Sequence, residues 1–186
     1  MIGIDIPFLI FFIGVIKFYF INSNGFSFFV SPSKRKDEQW YINTNVTYAF
    51  GSGKVTGSYG DATAKAHADT TYTSQDKTDG KIPTGKDVGD VKVEGLKTKL
   101  IRIVKAQAAG ELQDTDWYVV RKADAGTAIP SSITTHRNSV RNKQAEMETK
   151  ILDASNVAAL ETLYTYTEQE DGSSTRPLGE LPVLES

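Results

Sequence analysis

The chain has 186 residues, 24% of them charged and 39% hydrophobic, with a formal net charge of −2. That length suits one domain with at most a small appendage, and the slightly acidic balance argues against a dedicated nucleic-acid binder. With no cysteine, disulfides, iron–sulfur clusters, cysteine zinc sites and thiol catalysis are all removed. His67 and His136 lack companions at ligand spacing, so neither metal nor cofactor is expected.

Residues 1–37 form a hydrophobic N-terminal extension unlike the rest. Ile6 to Ile21 reads IPFLIFFIGVIKFYFI, apolar except for Lys17. A cleaved signal peptide would want a basic start and small residues at the cleavage point, whereas Asp5 precedes the run and Asn22-Ser23-Asn24-Gly25 follows it. A membrane anchor needs about 20 apolar residues; this run is slightly short, although Lys17 could snorkel and Ser33-Lys34-Arg35-Lys36 would serve as a basic flank. The third reading is a non-native extension, since AT-rich DNA upstream of a gene translates into this Phe, Ile, Lys, Tyr and Asn bias. The abrupt change at Pro32 to Lys36 favours it over a host-membrane location.

Residues 38–60 read as a β-hairpin. Trp40, Ile42, Thr44, Val46, Tyr48 and Phe50 alternate with a more polar set, so their face should be buried. Gly51-Ser52-Gly53 makes the turn, and Lys54 to Tyr59 returns. A lone hairpin is marginal, so it should lie on the helices or pair with its counterpart in another subunit. Residues 61–92 are polar and read as a long surface loop that cannot bury enough area to offset its ordering entropy. Gly51-Ser52-Gly53-Lys54 and Pro83-Thr84-Gly85-Lys86 both fail the phosphate-loop pattern, because no Ser or Thr follows the lysine.

Residues 93–166 read as a helical domain. A first helix begins at Val93, with Leu96, Leu100, Ile103, Val104 and Gln107 at helical spacing, and ends at Gly110. Lys97, Lys99, Arg102 and Lys105 form its solvated face. Asp114, Thr115 and Asp116 offer cap oxygens for a second helix, with Trp117, Val120, Arg121 and Asp124 on one face and Trp117 as the buried anchor of the corner. Gly126 closes that helix, and Ile129-Pro130 starts the next, which runs to about Leu152. Along it Ile133, Val140, Met147 and Ile151 make an apolar line beside Arg137 and Arg141. Those arginines are neighbours on one face: either they lock the corner by pairing with Asp116 or Asp124, or they grip a partner's anion. Carboxylates within the motif favour the lock. Asp153 or Ser155 should cap a last helix carrying Val157, Leu160, Leu163 and Tyr164. Residues 167–186 read as an irregular acidic tail, with Leu178, Leu181, Val183 and Leu184 available to dock. The fold class expected is α+β: an N-terminal β-hairpin, a long polar loop, and a C-terminal helical hairpin or bundle of three to four helices.

The run Thr115-Asp116-Trp117, Arg121, Gly126, Ile129-Pro130, Arg137 and Arg141 resembles a segment near the C-termini of tailed-bacteriophage tail accessory proteins, the tail-fibre-assembly type above all. The likeness spans roughly residues 94 to 166, and more loosely Trp40-Tyr41-Ile42-Asn43. His136 stands where such segments commonly carry an aromatic. The resemblance implies a structural virion protein of the tail, or an assembly chaperone for a fibre subunit. Its partners would be other phage structural proteins or further copies of itself, with no nucleic acid. The alternative from another class is a small membrane-anchored protein with residues 38 to 186 exposed on one side. The residues agree with a non-enzyme. His136 with Thr134, Thr135 and Ser139 supplies triad types, but all lie on one helical segment and cannot converge on one reacting atom.

Overall fold

A computed structural model of the chain describes residues 35–51 and 54–184. The hydrophobic run at 6–21 and the tip of the hairpin turn lie outside the described residues. Among the described residues no helix is long and apolar enough to cross a membrane. The architecture is α+β, and the chain divides into two compact units, Met1–Ala64 and Lys65–Ser186. The division falls inside the stretch expected to be a loop, and it makes two units where length suggested one domain.

In the first unit β1 (Tyr41–Ile42) pairs antiparallel with β4 (Thr63–Ala64), and β2 (Thr47–Gly51) pairs antiparallel with β3 (Lys54–Ser58). The expected single alternating strand is therefore broken. Asn43 stands at the break: its side chain accepts from Lys36 N at 2.9 Å and donates to Lys36 O at 2.7 Å, using the chain before β1 as its partner. Trp40 and Tyr41 are buried, but Ile42, Tyr48 and Phe50 are exposed, Phe50 at 77%. The expectation of one continuous buried face is corrected accordingly. Tyr48 lies across Gly57, its partner on β3, where a Cβ would sit 2.9 Å from the ring.

The second unit opens with a segment ordered by side-chain hydrogen bonds in place of apolar burial. β5 (Thr70–Thr71) pairs with β6 (Val91–Val93), with the short helix α1 (Ser74–Thr78) between them. Asp76 holds this arrangement together. One oxygen accepts from Thr73 N and Oγ1, both at 2.9 Å, closing a capping box, and the other meets Lys92 Nζ at 2.6 Å. The lysine first, then the Thr73 donors, holds the Asp76 carboxyl well below the usual range. Residues 65–92 are thus not the unstructured loop that composition suggested. Charge-assisted hydrogen bonds supplied the order that burial could not.

Four helices follow: α2 (Leu96–Gln113), α3 (Asp116–Ala125), α4 (Ser131–Asp153) and α5 (Val157–Tyr164). Val93 belongs to β6, and Gly110 lies inside α2 rather than ending it. Asp69 caps α2 in the absence of a side chain at Gly95, accepting from Gly95 N at 2.7 Å and Thr98 Oγ1 at 2.8 Å. These donors lower its carboxyl pKa, the backbone amide most. Gly95 cannot be larger, since a Cβ there would collide with the Ala68 backbone. Leu96, Leu100, Val104 and Ala108, four apart, bury one stripe of α2; Ile133, Val140, Met147 and Ile151 bury the corresponding stripe of α4. Lys97 Nζ donates to Leu152 O at 2.6 Å and Lys105 meets Glu148 at 3.5 Å, so part of the basic face of α2 is tied to α4. Each fully buried aliphatic side chain here contributes about 1.5–3 kcal/mol.

Asn156, rather than Asp153 or Ser155, caps α5, accepting from Ala159 N at 2.9 Å. The acidic tail is partly regular. β7 (Thr167–Glu168) and β8 (Ser174–Thr175) form a small hairpin, after which Leu178 is fully buried and its N–H donates to Leu163 O at 3.0 Å. Val183 and Leu184 remain exposed.

Candidate functional site

Of the residues singled out by sequence, Asp116 and Arg137 meet where α2 turns into α3 beside α4. Only Asp114 and Thr115 separate α2 from α3, so the last carbonyls of one helix and the first amides of the next crowd together without intrahelical partners. No side-chain cap relieves α3, contrary to the expectation for Asp114, Thr115 and Asp116. Thr115 is buried and its hydroxyl instead donates backward to Leu112 O at 2.8 Å.

Arg137 completes the corner from α4. Nη1 donates to Leu112 O at 2.9 Å and to Thr115 Oγ1 at 2.6 Å, and Nη2 meets Asp116 Oδ1 at 2.8 Å. A guanidinium thus spans the C-terminal end of α2, where a cation is favoured, and the first turn of α3, where Asp116 is favoured. The residue is only 7% exposed. Its fork reaches a carbonyl and a hydroxyl from one nitrogen and a carboxylate from the other, a spread that the single nitrogen of a lysine does not reproduce. Arg141 behaves differently. It is exposed and makes no ion pair with Asp116 or Asp124. The arginine pair is one lock and one surface cation.

Trp117 is not the buried anchor of the corner: it is 50% exposed. The space assigned to it is taken by Thr115 and the Arg137 guanidinium. Trp117 packs against Tyr118, ring centroids 3.8 Å apart, and Arg121 lies over both rings at 4.6 and 5.2 Å. No residue of α3 is buried, and Val119 and Val120 are exposed, Val120 at 66%. Gly126 ends α3 in the left-handed region at φ 67°, its N–H reaching Lys122 O at 3.0 Å. Pro130 stands one residue before α4, outside its first turn, and its carbonyl receives Thr134 N at 3.0 Å. Asp116 and Arg137 are thereby brought together. Trp117 and Arg121 form a second cluster, Gly126 and Pro130 shape the α3–α4 connection, and Arg141 joins neither cluster.

Two further residues complete this corner beyond the roles that their spacing suggests, a helix cap for Thr115 and a member of a non-converging triad for His136. His136 is buried, with Nε2 making no hydrogen bond. The signal was present: positions 133, 136, 137 and 140 fall on the inward stripe of a seven-residue repeat, while 141 falls just past it.

No protein-family model, curated protein or solved structure matches the chain. The functional reading therefore rests on the geometry of the corner and on the residues that compose it.

Proposed function

We propose that this chain is a structural component of a tailed-bacteriophage particle, at the tail or its fibre attachment, working through protein–protein contacts and not through catalysis. The observation that carries the reading is α3. A helix of ten residues that buries none of them gains no stability from a core of its own, and helices this short are marginal in water without packing. Arg137 ties its first turn to α2 and α4 through Asp116 and Thr115. A helix held at one end that turns Trp117, Val119 and Val120 outward presents an apolar surface for another protein to cover. The Thr115–Arg141 resemblance to tail accessory proteins supplies the class of partner, namely other phage structural proteins, further copies of this chain among them.

Mass spectrometry of purified particles, from the phage whose genome carries this sequence, tests the proposal. Peptides of the chain at a fixed ratio to tail proteins are expected. Their presence in infected cells but absence from finished particles would replace a virion part with a fibre-assembly chaperone.

A further inference from the structure

Among the described residues, two arginines of the second unit lie over a pair of aromatic rings, and one of the two has its counter-ion there. Arg176 sits 5.3 and 5.2 Å from the Tyr164 and Tyr166 rings and is gripped by Glu180 through Nε and Nη2, at 2.7 and 2.8 Å. Tyr166 OH donates to the same carboxylate at 2.7 Å. Arg121 has the same ring support from Trp117 and Tyr118, but no carboxylate among the described residues pairs with it. The nearest acid in its own helix toward the N-terminus, Asp116, is held by Arg137. Arg121 Nε is covered and makes no hydrogen bond, leaving the two Nη groups as donors for an acceptor from outside.

We propose that the Trp117–Tyr118–Arg121 face of α3 docks an acidic peptide segment of a partner protein, one carboxylate seated on the Arg121 guanidinium and an adjoining apolar side chain laid on Trp117 and Val120. This rests on the protein-contact reading above and names the chemistry of the contact. The rings hold the guanidinium in one plane, so little freedom is lost when a planar carboxylate meets it. Apolar surface flanks it on the exposed side of Trp117 and at Val120. A polyanion fits poorly, because Asp114 and Asp124 stand near in sequence and the whole chain carries a net charge of −2. One carboxylate needs no extended basic field.

The test uses the full chain and a blocked pentapeptide with the sequence of Leu178–Pro182, the segment that presents Glu180 to Arg176. The readout is the two indole N–H resonances. Trp117 is exposed and Trp40 buried, so the second is an internal control. A saturable shift of the Trp117 signal at millimolar peptide, with Trp40 still, is expected. Binding should weaken about tenfold or more when the peptide carries Gln for Glu, or when the chain carries Arg121→Lys, which keeps the charge but not the planar fork. Equal binding by the Gln peptide or the lysine variant would overturn the proposal, as would an unmoved Trp117 signal. A single-stranded oligonucleotide shifting Trp117 where the peptide does not would mark the face as a base-stacking platform and overturn it too. Particle composition is a separate measurement. Peptide binding by a chain absent from particles would sink the virion reading alone, and particles containing a chain that ignores the peptide would sink this one alone.

Discussion

Arg137 and Arg141 show how much one residue of register decides. Arg137 lies on the stripe that faces α2 and fills the helix corner; Arg141, one turn on, has rotated past it. Arg137→Lys should lower stability by about 1.5–3 kcal/mol, the range for losing a hydrogen bond to a charged group. Arg141→Lys should stay within about 0.5 kcal/mol, as surface changes do. Urea unfolding of the two variants distinguishes them, and equal midpoints would remove the lock. Asp116 is the exposed end of its pair, so Asp116→Asn should cost only ~0.2–1 kcal/mol. A double-mutant cycle should find coupling between positions 116 and 137 and none between 116 and 141. Trp117→Ala belongs with the surface changes: ~0.5 kcal/mol or less instead of the several expected of a buried anchor.

Among the elements, the α2–α4 pair and the Asp76 segment hold together by opposite means. Met147 is almost wholly buried on the inward stripe of α4, and Met147→Ala should cost about 2–5 kcal/mol. A shift in thermal midpoint too small for that range would mean the site collapses around the gap. The α1–β6 segment depends instead on an ionised carboxylate. Asp76 has its pKa lowered by folding, so its contribution is fully present above the ordinary Asp value near 3.9 and is lost as pH falls from there toward the depressed folded value. Protection against hydrogen exchange at the Thr73 amide, taken relative to the unstructured rate at each pH, should therefore be lost as pH falls below that ordinary value. In Asp76→Asn the same amide should already lack that protection at neutral pH, and acid should change its protection little. Parent-like protection in the variant would show that the turns hold without the charge.

For the molecule as a whole, the division at Ala64–Lys65 locates the helical core in the second unit. The stripes of α2 and α4, the buried residues of α5 and Leu178 all belong to it. Residues 65–186 should accordingly fold alone, with a helical circular-dichroism spectrum and one cooperative thermal transition. A chain of that length giving a coil spectrum would make the division a geometric one only.

Much of this fold was legible in the amino-acid order, and the failures share a cause. Periodicity located α4 and α5 within a residue or two, put Ile133, Val140, Met147 and Ile151 inside, and placed Gly126 at the helix end, because each of these is settled within a few turns of chain. The same local rules misjudged residues 65–92, whose order comes from Asp76 reaching Lys92 across sixteen positions. They also misjudged the start of α2, where Asp69 lies across a gap of twenty-six. At the candidate site the sequence alone named Asp116, Trp117, Arg121, Gly126, Pro130, Arg137 and Arg141, and it offered Asp116 as a partner for an arginine. Which arginine entered the corner, and that it displaced tryptophan from that space, only the tertiary structure decided. Local spacing says which side of a helix a residue occupies; what it meets there depends on where the next helix crosses and which groups lie within hydrogen-bond reach.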